Sequence, residues 1–240
     1  GDISINAALI ENYGGVQDVS GANGGTLTIK AKQLITDTIM LAQGTHGDGG
    51  TIVVDATQEV LMTASGNIKA DGSTNGGEVA ISAGDGRLIL SGNISNTGGE
   101  QGGRTSLLGN SVSMLGGAVD ASGGTQGGEI YVGGGYQGNS IWAEGEAPFK
   151  ASNSQSTYIS ATSVLKADTS ISSSATARVS ASGTASGYSM IVRRSSRQRL
   201  RRAGSVGPLT PYLVGGWRLT SPAKSDSSTG YGISGSLQVT

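Results

Sequence analysis

Short runs in which apolar and polar residues alternate recur through residues 1–168, and a pair of glycines opens one run in each period. Gly24-Gly25 leads GGTLTIKA, Gly49-Gly50 leads GGTIVVDA, Gly76-Gly77 leads GGEVAISA, Gly102-Gly103 leads GGRTSLLG and Gly127-Gly128 leads GGEIYVGG, at spacings of 25, 27, 26 and 25 residues. A second word recurs in phase between the pairs: DTIMLAQG, EVLMTASGNIKADG, RLILSGNISNTG and SVSMLGGAVDASG. Aliphatic residues lie two apart in these words, as in Leu27/Ile29, Val60/Met62, Val79/Ile81, Leu88/Leu90, Val112/Met114 and Ile130/Val132. That is the period of a strand with one inward face. No segment holds the 3.6-residue period of a helix. Each unit therefore predicts two or three short strands.

One such unit cannot bury its apolar face alone. Stacking unit on unit makes a continuous core and pairs each strand with its equivalents above and below. The expected fold is an all-β, parallel β-solenoid with coils of 25–27 residues, in which the paired glycines mark the corners. At about 4.8 Å between stacked strands, the five to six coils expected in residues 1–140 make a rod section roughly 25–30 Å long. Low-complexity disorder is the competing reading of a chain rich in Gly and Ser. It does not account for Val, Ile and Leu returning to the same columns in each period.

The GG-led coils, the turn words SGNI and GAVDASGG, and above all GGEIYVGGGYQGN followed by STYISATSVLKAD resemble the repeat region of large bacterial exoproteins of the filamentous haemagglutinin type. The resemblance covers residues 1–168 and is most specific over 117–168. It implies a right-handed parallel β-helix, export by two-partner secretion through an outer-membrane transporter, and a secreted or cell-surface adhesin. The partners it implies are host-cell or surface glycans or proteins. The family's secretion domain is not visible in these residues, and a start at Gly1-Asp2-Ile3 without Met reads as a piece of a longer chain.

Beyond Asp168 the text changes. The glycine period stops, six arginines fall within Arg193–Arg202, and Asp226 is the one acid among the last 72 residues. Residues 1–168 hold seven Lys+Arg against 16 Asp+Glu, a balance of -9, whereas residues 169–240 hold nine against one, a balance of +8. A simultaneous change of period, charge and Ser content is what a reading-frame slip produces, and a genuine basic tail would look similar. Residues 169–240 are accordingly expected to be a poorly ordered or frame-shifted tail. The arginines could neutralise phosphates, but no aromatic residue interleaves them for base stacking, so no nucleic-acid partner is expected.

Composition adds limits. There is no cysteine, so no disulfide framework, and aromatic residues are only 4%, so the core must be aliphatic. No apolar run reaches the roughly 18 residues of a membrane-spanning helix. Gly133-Gly134-Gly135-Tyr136-Gln137-Gly138 fits G-x-G-x-x-G, but Asn139-Ser140-Ile141-Trp142 and Pro148 follow it where a dinucleotide site needs a helix. Asp48, Asp71 and Asp85 precede glycines and read as turn residues; no metal or cofactor is expected. His46, the single histidine, sits in GTHGDGG and reads as an exposed turn residue.

Two functional readings remain. In the first the chain is a stiff adhesive rod without an active site, with small polar outward residues (Thr26, Thr28, Lys30, Thr51, Glu78, Ala80, Ser82) and with one distinctive departure from the repeat, Gln137–Lys150. There Trp142 and Phe149 either form a ligand-contact loop or cover the side of the coil. The alternative is a β-helical polysaccharide-binding or polysaccharide-cleaving enzyme, for which two carboxylates at fixed separation are needed. Asp71 and Asp120 are the pair that stacking brings to one edge.

Overall fold

A computed structural model describes residues 1–135, 147–149 and 153–169, together with the backbone of 178–181, 184–185, 218–219 and 235–238. Alternation does form strands, and they stack in levels. The first level holds β1 (Asp2–Asn6), β2 (Leu9–Asn12) and β3 (Val16–Asp18). In the second and third levels the first two strands merge, giving β4 (Thr26–Thr36) with β5 (Ile39–Leu41), and β6 (Thr51–Met62) with β7 (Asn67–Lys69). The fourth holds β8 (Glu78–Ser82), β9 (Arg87–Leu90) and β10 (Asn93–Ser95). The fifth holds β11 (Arg104–Leu108), β12 (Ser111–Met114) and β13 (Ala118–Asp120). The sixth holds β14 (Glu129–Val132), β15 (Ser156–Ile159) and β16 (Val164–Lys166).

Every strand of these levels pairs in parallel with its equivalents in the neighbouring levels, which makes a β-solenoid of about five turns. The third strands form a six-stranded sheet of their own, β16-β13-β10-β7-β5-β3. A register shift between Ala31 and Gln33 marks the bend inside β4 where the first face passes into the second. The parallel ladder also passes residue 168. Thr169 bridges Gly123, and β17 (Arg178–Ala181) and β18 (Thr184–Ala185) pair with β14 and β15. Two further strands, β19 (Arg218–Leu219) and β20 (Gly235–Gln238), pair antiparallel at that end. The arginine cluster Arg193–Arg202 lies outside the described residues.

Register converts alternation into columns. Leu27, Ile52, Val79 and Ile130 occupy one inward column, and Ile29, Val54, Ile81, Leu107 and Val132 the next. Met40, Ile68, Ile94, Val119 and Leu165 line the third face, and all of these side chains are buried. A buried aliphatic side chain of this kind contributes about 1.5–3 kcal/mol, and register stacks most of them on an aliphatic residue of a neighbouring level. Two neighbouring levels depart from the rule: in the fifth Thr105 replaces the aliphatic residue, and at the end of the fourth Asn96 stands where other levels have alanine. Neither polar group is orphaned. Thr105 Oγ1 donates to Asn96 Oδ1 at 3.2 Å, and Asn96 Nδ2 donates to the Gly77 carbonyl at 3.2 Å.

The paired glycines have a division of labour. The second of each pair closes the small arch that leads into its level: Gly50 N–H donates to Ala42 O, Gly77 to Ala70, Gly103 to Asn96 and Gly128 to Ala121, at 2.7–2.8 Å. The first reaches the next level: Gly24 N–H donates to Asp48 O, Gly49 to Asn75, Gly76 to Gln101 and Gly102 to Gln126, at 2.8–2.9 Å. None of the ten has positive φ, so left-handed backbone is not what requires glycine. Space is. A Cβ on Gly77 would lie 2.0 Å from the Gly50 carbonyl, and one on Gly76 would lie 2.0 Å from the Asn96 carbonyl.

Left-handed glycines occur elsewhere, as at Gly116 with φ 82°. The two kinds should respond differently to the same substitution. Gly77→Ala forces two backbones apart and is expected to cost at least about 3 kcal/mol, the upper end of overpacking penalties, whereas Gly116→Ala, whose Cβ would meet nothing closer than 3.4 Å, should cost about 1–2 kcal/mol for its backbone strain. Urea unfolding of the two variants side by side is the check; equal costs would remove close approach as the reason for the glycine pairs.

Candidate functional site

The arches create a concavity on the described part of the rod. An open groove of about 510 Å³ runs along the stacking axis, floored by Gly49-Gly50, Gly76-Gly77, Gly102-Gly103 and Gly127-Gly128. Asp48, Asn75, Gln101 and Gln126 form one wall, and Thr51, Glu78, Arg104 and Glu129 the other. The walls follow from register, because each is a column of outward side chains repeated level by level. Arg104 Nε pairs with Glu129 Oε2 at 3.2 Å across two levels, and Asn75 donates through both N–H and Nδ2 to Asp48 Oδ1 at 3.1 and 2.8 Å. Carboxylates, amides and a guanidinium can hydrogen-bond hydroxyl or amide groups; no aromatic ring lines the groove for stacking.

A third glycine column, which the sequence reading did not isolate, shapes these arches. Gly21, Gly44, Gly72, Gly98 and Gly123 bridge one another in a line that ends at Thr169. A Cβ on Gly72 or Gly98 would lie 1.9 Å from the carbonyl of Asn75 or Gln101 across the arch. The signal was present in phase in the words SGAN, QGTH, DGST, NTGG and ASGG.

The second feature is the excursion between β14 and β15. Gly133 and Gly134, at φ 82° and 135°, carry the chain off the coil. It returns at the same point: Ser154 N–H donates to Gly133 O at 2.6 Å, Ser154 Oγ to Gly109 O at 2.6 Å, and Gln155 N–H to Asn110 O at 2.8 Å. β15 then pairs with β12 in register, Ser156 on Ser111. The coil thus closes beneath the excursion. Phe149, of the two aromatic residues singled out above, is only 8% exposed and packs on Val53, Ala80 and Leu108. Those three are outward residues of successive levels, so the ring covers the side of the coil. Trp142 and residues 136–138 of the glycine motif lie outside the described residues.

That coverage corrects one expectation. Thr26 and Lys30 are exposed and Thr28, Thr51 and Glu78 half-buried, but Ala80 and Ser82 are buried although they face outward. Ser106 and Tyr131 of the same face are buried as well. The repeating polar surface is interrupted there because the chain folds back across it.

The two carboxylates considered for polysaccharide cleavage lie on the third face, two levels apart and in adjacent columns. Asp71 Oδ1 accepts from Thr97 N at 2.8 Å, from Thr97 Oγ1 at 2.9 Å and from Ser95 Oγ at 2.5 Å, while Oδ2 accepts from Gln43 Nε2 at 3.3 Å. Asp120 pairs with Lys166 Nζ at 2.8 Å and caps Ser122 N at 3.0 Å. Each ties one level to the next or steadies the entry to an arch. Asp18 does likewise at the first level, where hydrogen bonds from Ser20, side chain first and backbone second, hold its carboxyl below the usual carboxylate range.

His46 is exposed in its arch, with Nδ1 3.0 Å from Thr45 Oγ1. Asp85 sits in the tight turn between β8 and β9 beside Gly84 at φ 56°. Among the described residues no three His, Asp or Glu side chains converge as metal ligands, and no helix is long and apolar enough to cross a membrane. Comparison of the chain with protein families, curated proteins and solved structures finds no match.

The excursion gives a direct test of this geometry. Phe149→Ala is expected to destabilise the chain by about 2–4 kcal/mol, somewhat below the 3–5 kcal/mol of a ring in a closed core, and to raise binding of a hydrophobic dye as Val53, Ala80 and Leu108 become exposed. An unchanged melting temperature together with unchanged dye binding would show that the ring is not an anchor.

Proposed function

We propose that this chain is part of a secreted or cell-surface bacterial adhesin of the filamentous haemagglutinin type, exported in its intact form through an outer-membrane transporter, and that it works as a rod. The observation that carries the reading is the parallel stacking itself: outward side chains return at each level with the about 4.8 Å spacing of paired strands. A repeated surface of this kind makes many weak contacts with an extended or clustered ligand, and linked weak contacts gain avidity without any strong single site. The resemblance of residues 117–168 to that family supports the same reading.

Mechanism here is geometric. Stacked backbone ladders keep the rod straight and hold its faces at fixed spacing, while the excursion anchored by Phe149 supplies the local departure from repetition on which selectivity for host-cell or surface glycans or proteins depends. No covalent step is part of this reading. Asp71 and Asp120 are already committed to hydrogen bonds and an ion pair between levels, which favours structural use over general acid–base work.

The expected result is that the purified chain, immobilised on beads, retains epithelial cells or arrayed glycans in a manner that rises steeply with surface density, and leaves the chain length of soluble polysaccharides unchanged. Shortening of a polysaccharide would reverse the reading in favour of the enzyme. Absence of retention at any density would remove the adhesive role from this segment.

A further inference from the structure

The arch column that walls the groove reads Asn23, Asp48, Asn75, Gln101, Gln126, and a glycine follows each member. Asn-Gly is the sequence most open to self-modification, because a glycine nitrogen carries no neighbouring side chain to obstruct attack on the asparagine amide. The chemistry needs only water. The nitrogen of Gly76, on losing its proton, bonds to Asn75 Cγ; the Cγ–Nδ2 bond breaks and ammonia leaves, giving a five-membered imide. Water opens that ring at either carbonyl to aspartate or to isoaspartate.

The fold opposes each requirement of the first step. Gly76 N–H is committed to Gln101 O of the level above at 2.8 Å. The leaving amide and the Asn75 backbone N–H both donate to Asp48 Oδ1 of the level below, at 2.8 and 3.1 Å. Asn75 is therefore clamped from both sides by neighbouring levels. Asn23 is clamped less fully: Gly24 N–H donates to Asp48 O at 2.9 Å and Asn23 Oδ1 accepts from Asp48 N at 3.2 Å, but among the described residues no level lies below its own.

We propose that Asn75 and Asn23 are deamidation sites that the stacked arches hold closed, so that conversion proceeds only when adjacent levels part. The product would act on the stack. An amide at Asn75 complements the carboxylate of Asp48, whereas an aspartate would set two carboxylates against each other in place of the Nδ2 hydrogen bond, and like charges in contact destabilise. Isoaspartate would in addition lengthen the backbone ahead of Gly76 and move it off its ladder. Once opened and modified, an arch would not close as before, and the column would keep a chemical record of past opening.

The full chain can be aged in mildly alkaline buffer, folded and in urea, and followed by peptide mapping for the mass increase of amide-to-acid conversion. Conversion at Asn75 is expected to be at least about tenfold faster in urea, since protection equals the free energy of local opening, with Asn23 the faster of the two in the folded chain. Asn75→Gln, which installs a side chain the column already accepts at Gln101 and Gln126, should melt as the parent does and lose the signal at that position. Asn75→Asp should melt lower, with part of the loss restored by salt. Equal rates at Asn75 in the folded and unfolded chain would overturn the clamp, and an Asn75→Asp variant that melts as the parent does would overturn its consequence.

Discussion

The structure depends on how closely two backbones can approach at one corner of each coil. There, the first amide of a glycine pair reaches the level above and the second closes an arch. Carbonyl oxygens of neighbouring turns crowd the same corner and lie about 2 Å from the hypothetical Cβ. Buried backbone groups left unpaired carry a penalty of about 1–3 kcal/mol each, so the corner either has glycine and two satisfied ladders or loses both. The entropic disadvantage of ordering glycine is thereby offset at each corner by bonds that no other residue permits. Continuity of the core follows from this contact, because only levels held at strand spacing stack Leu27, Ile52 and Val79 directly on one another in a single column.

Much of this was legible in the sequence because both signals are periodic. The glycine pairs at 25- to 27-residue spacing and the two-residue alternation of aliphatic positions fixed the stacking, the strands and their inward faces. What escaped has a physical reason in each case. The third glycine column was hidden because Gly72 and Gly98 look like ordinary turn residues; only the carbonyl across the arch shows why they lack a side chain. Asn96 and Thr105 each read as a break in the pattern when taken singly, and make sense only as partners nine positions apart in sequence. Burial of Ala80 and Ser82 could not be read from alternation at all, since it depends on a segment nearly 70 residues later folding back over the face.

The candidate site was less legible than the fold, for the same reason. Repetition specifies columns, and columns specify the walls of the groove: Glu78, Arg104 and Glu129 on one side, Asn75, Gln101 and Gln126 on the other. A carboxylate's duty is set by its neighbours, however, not by its place in the repeat. Asp71 and Asp120 hold equivalent-looking turn positions in sequence, yet one receives four hydrogen bonds from three side chains and a backbone amide while the other pairs with a lysine of the next level. Both uses join levels.

Ion pairs follow the same logic of neighbouring levels. Glu59–Arg87, Glu129–Arg104 and Asp120–Lys166 each join residues in adjacent levels of one column, and each has at least one partner well exposed. Exposed pairs contribute only about 0–1 kcal/mol, too little to hold the rod together. Their value lies in discrimination between neighbours. Apolar columns are nearly interchangeable from level to level, so they stabilise stacking without identifying which strand belongs on which. Alternating charge along Glu78, Arg104 and Glu129, the amide–carboxylate contact of Asn75 with Asp48, and the buried Asn96–Thr105 pair each occur at one place in the stack. A repetitive rod can thus draw its stability from what its levels share and its order from the few positions at which they differ.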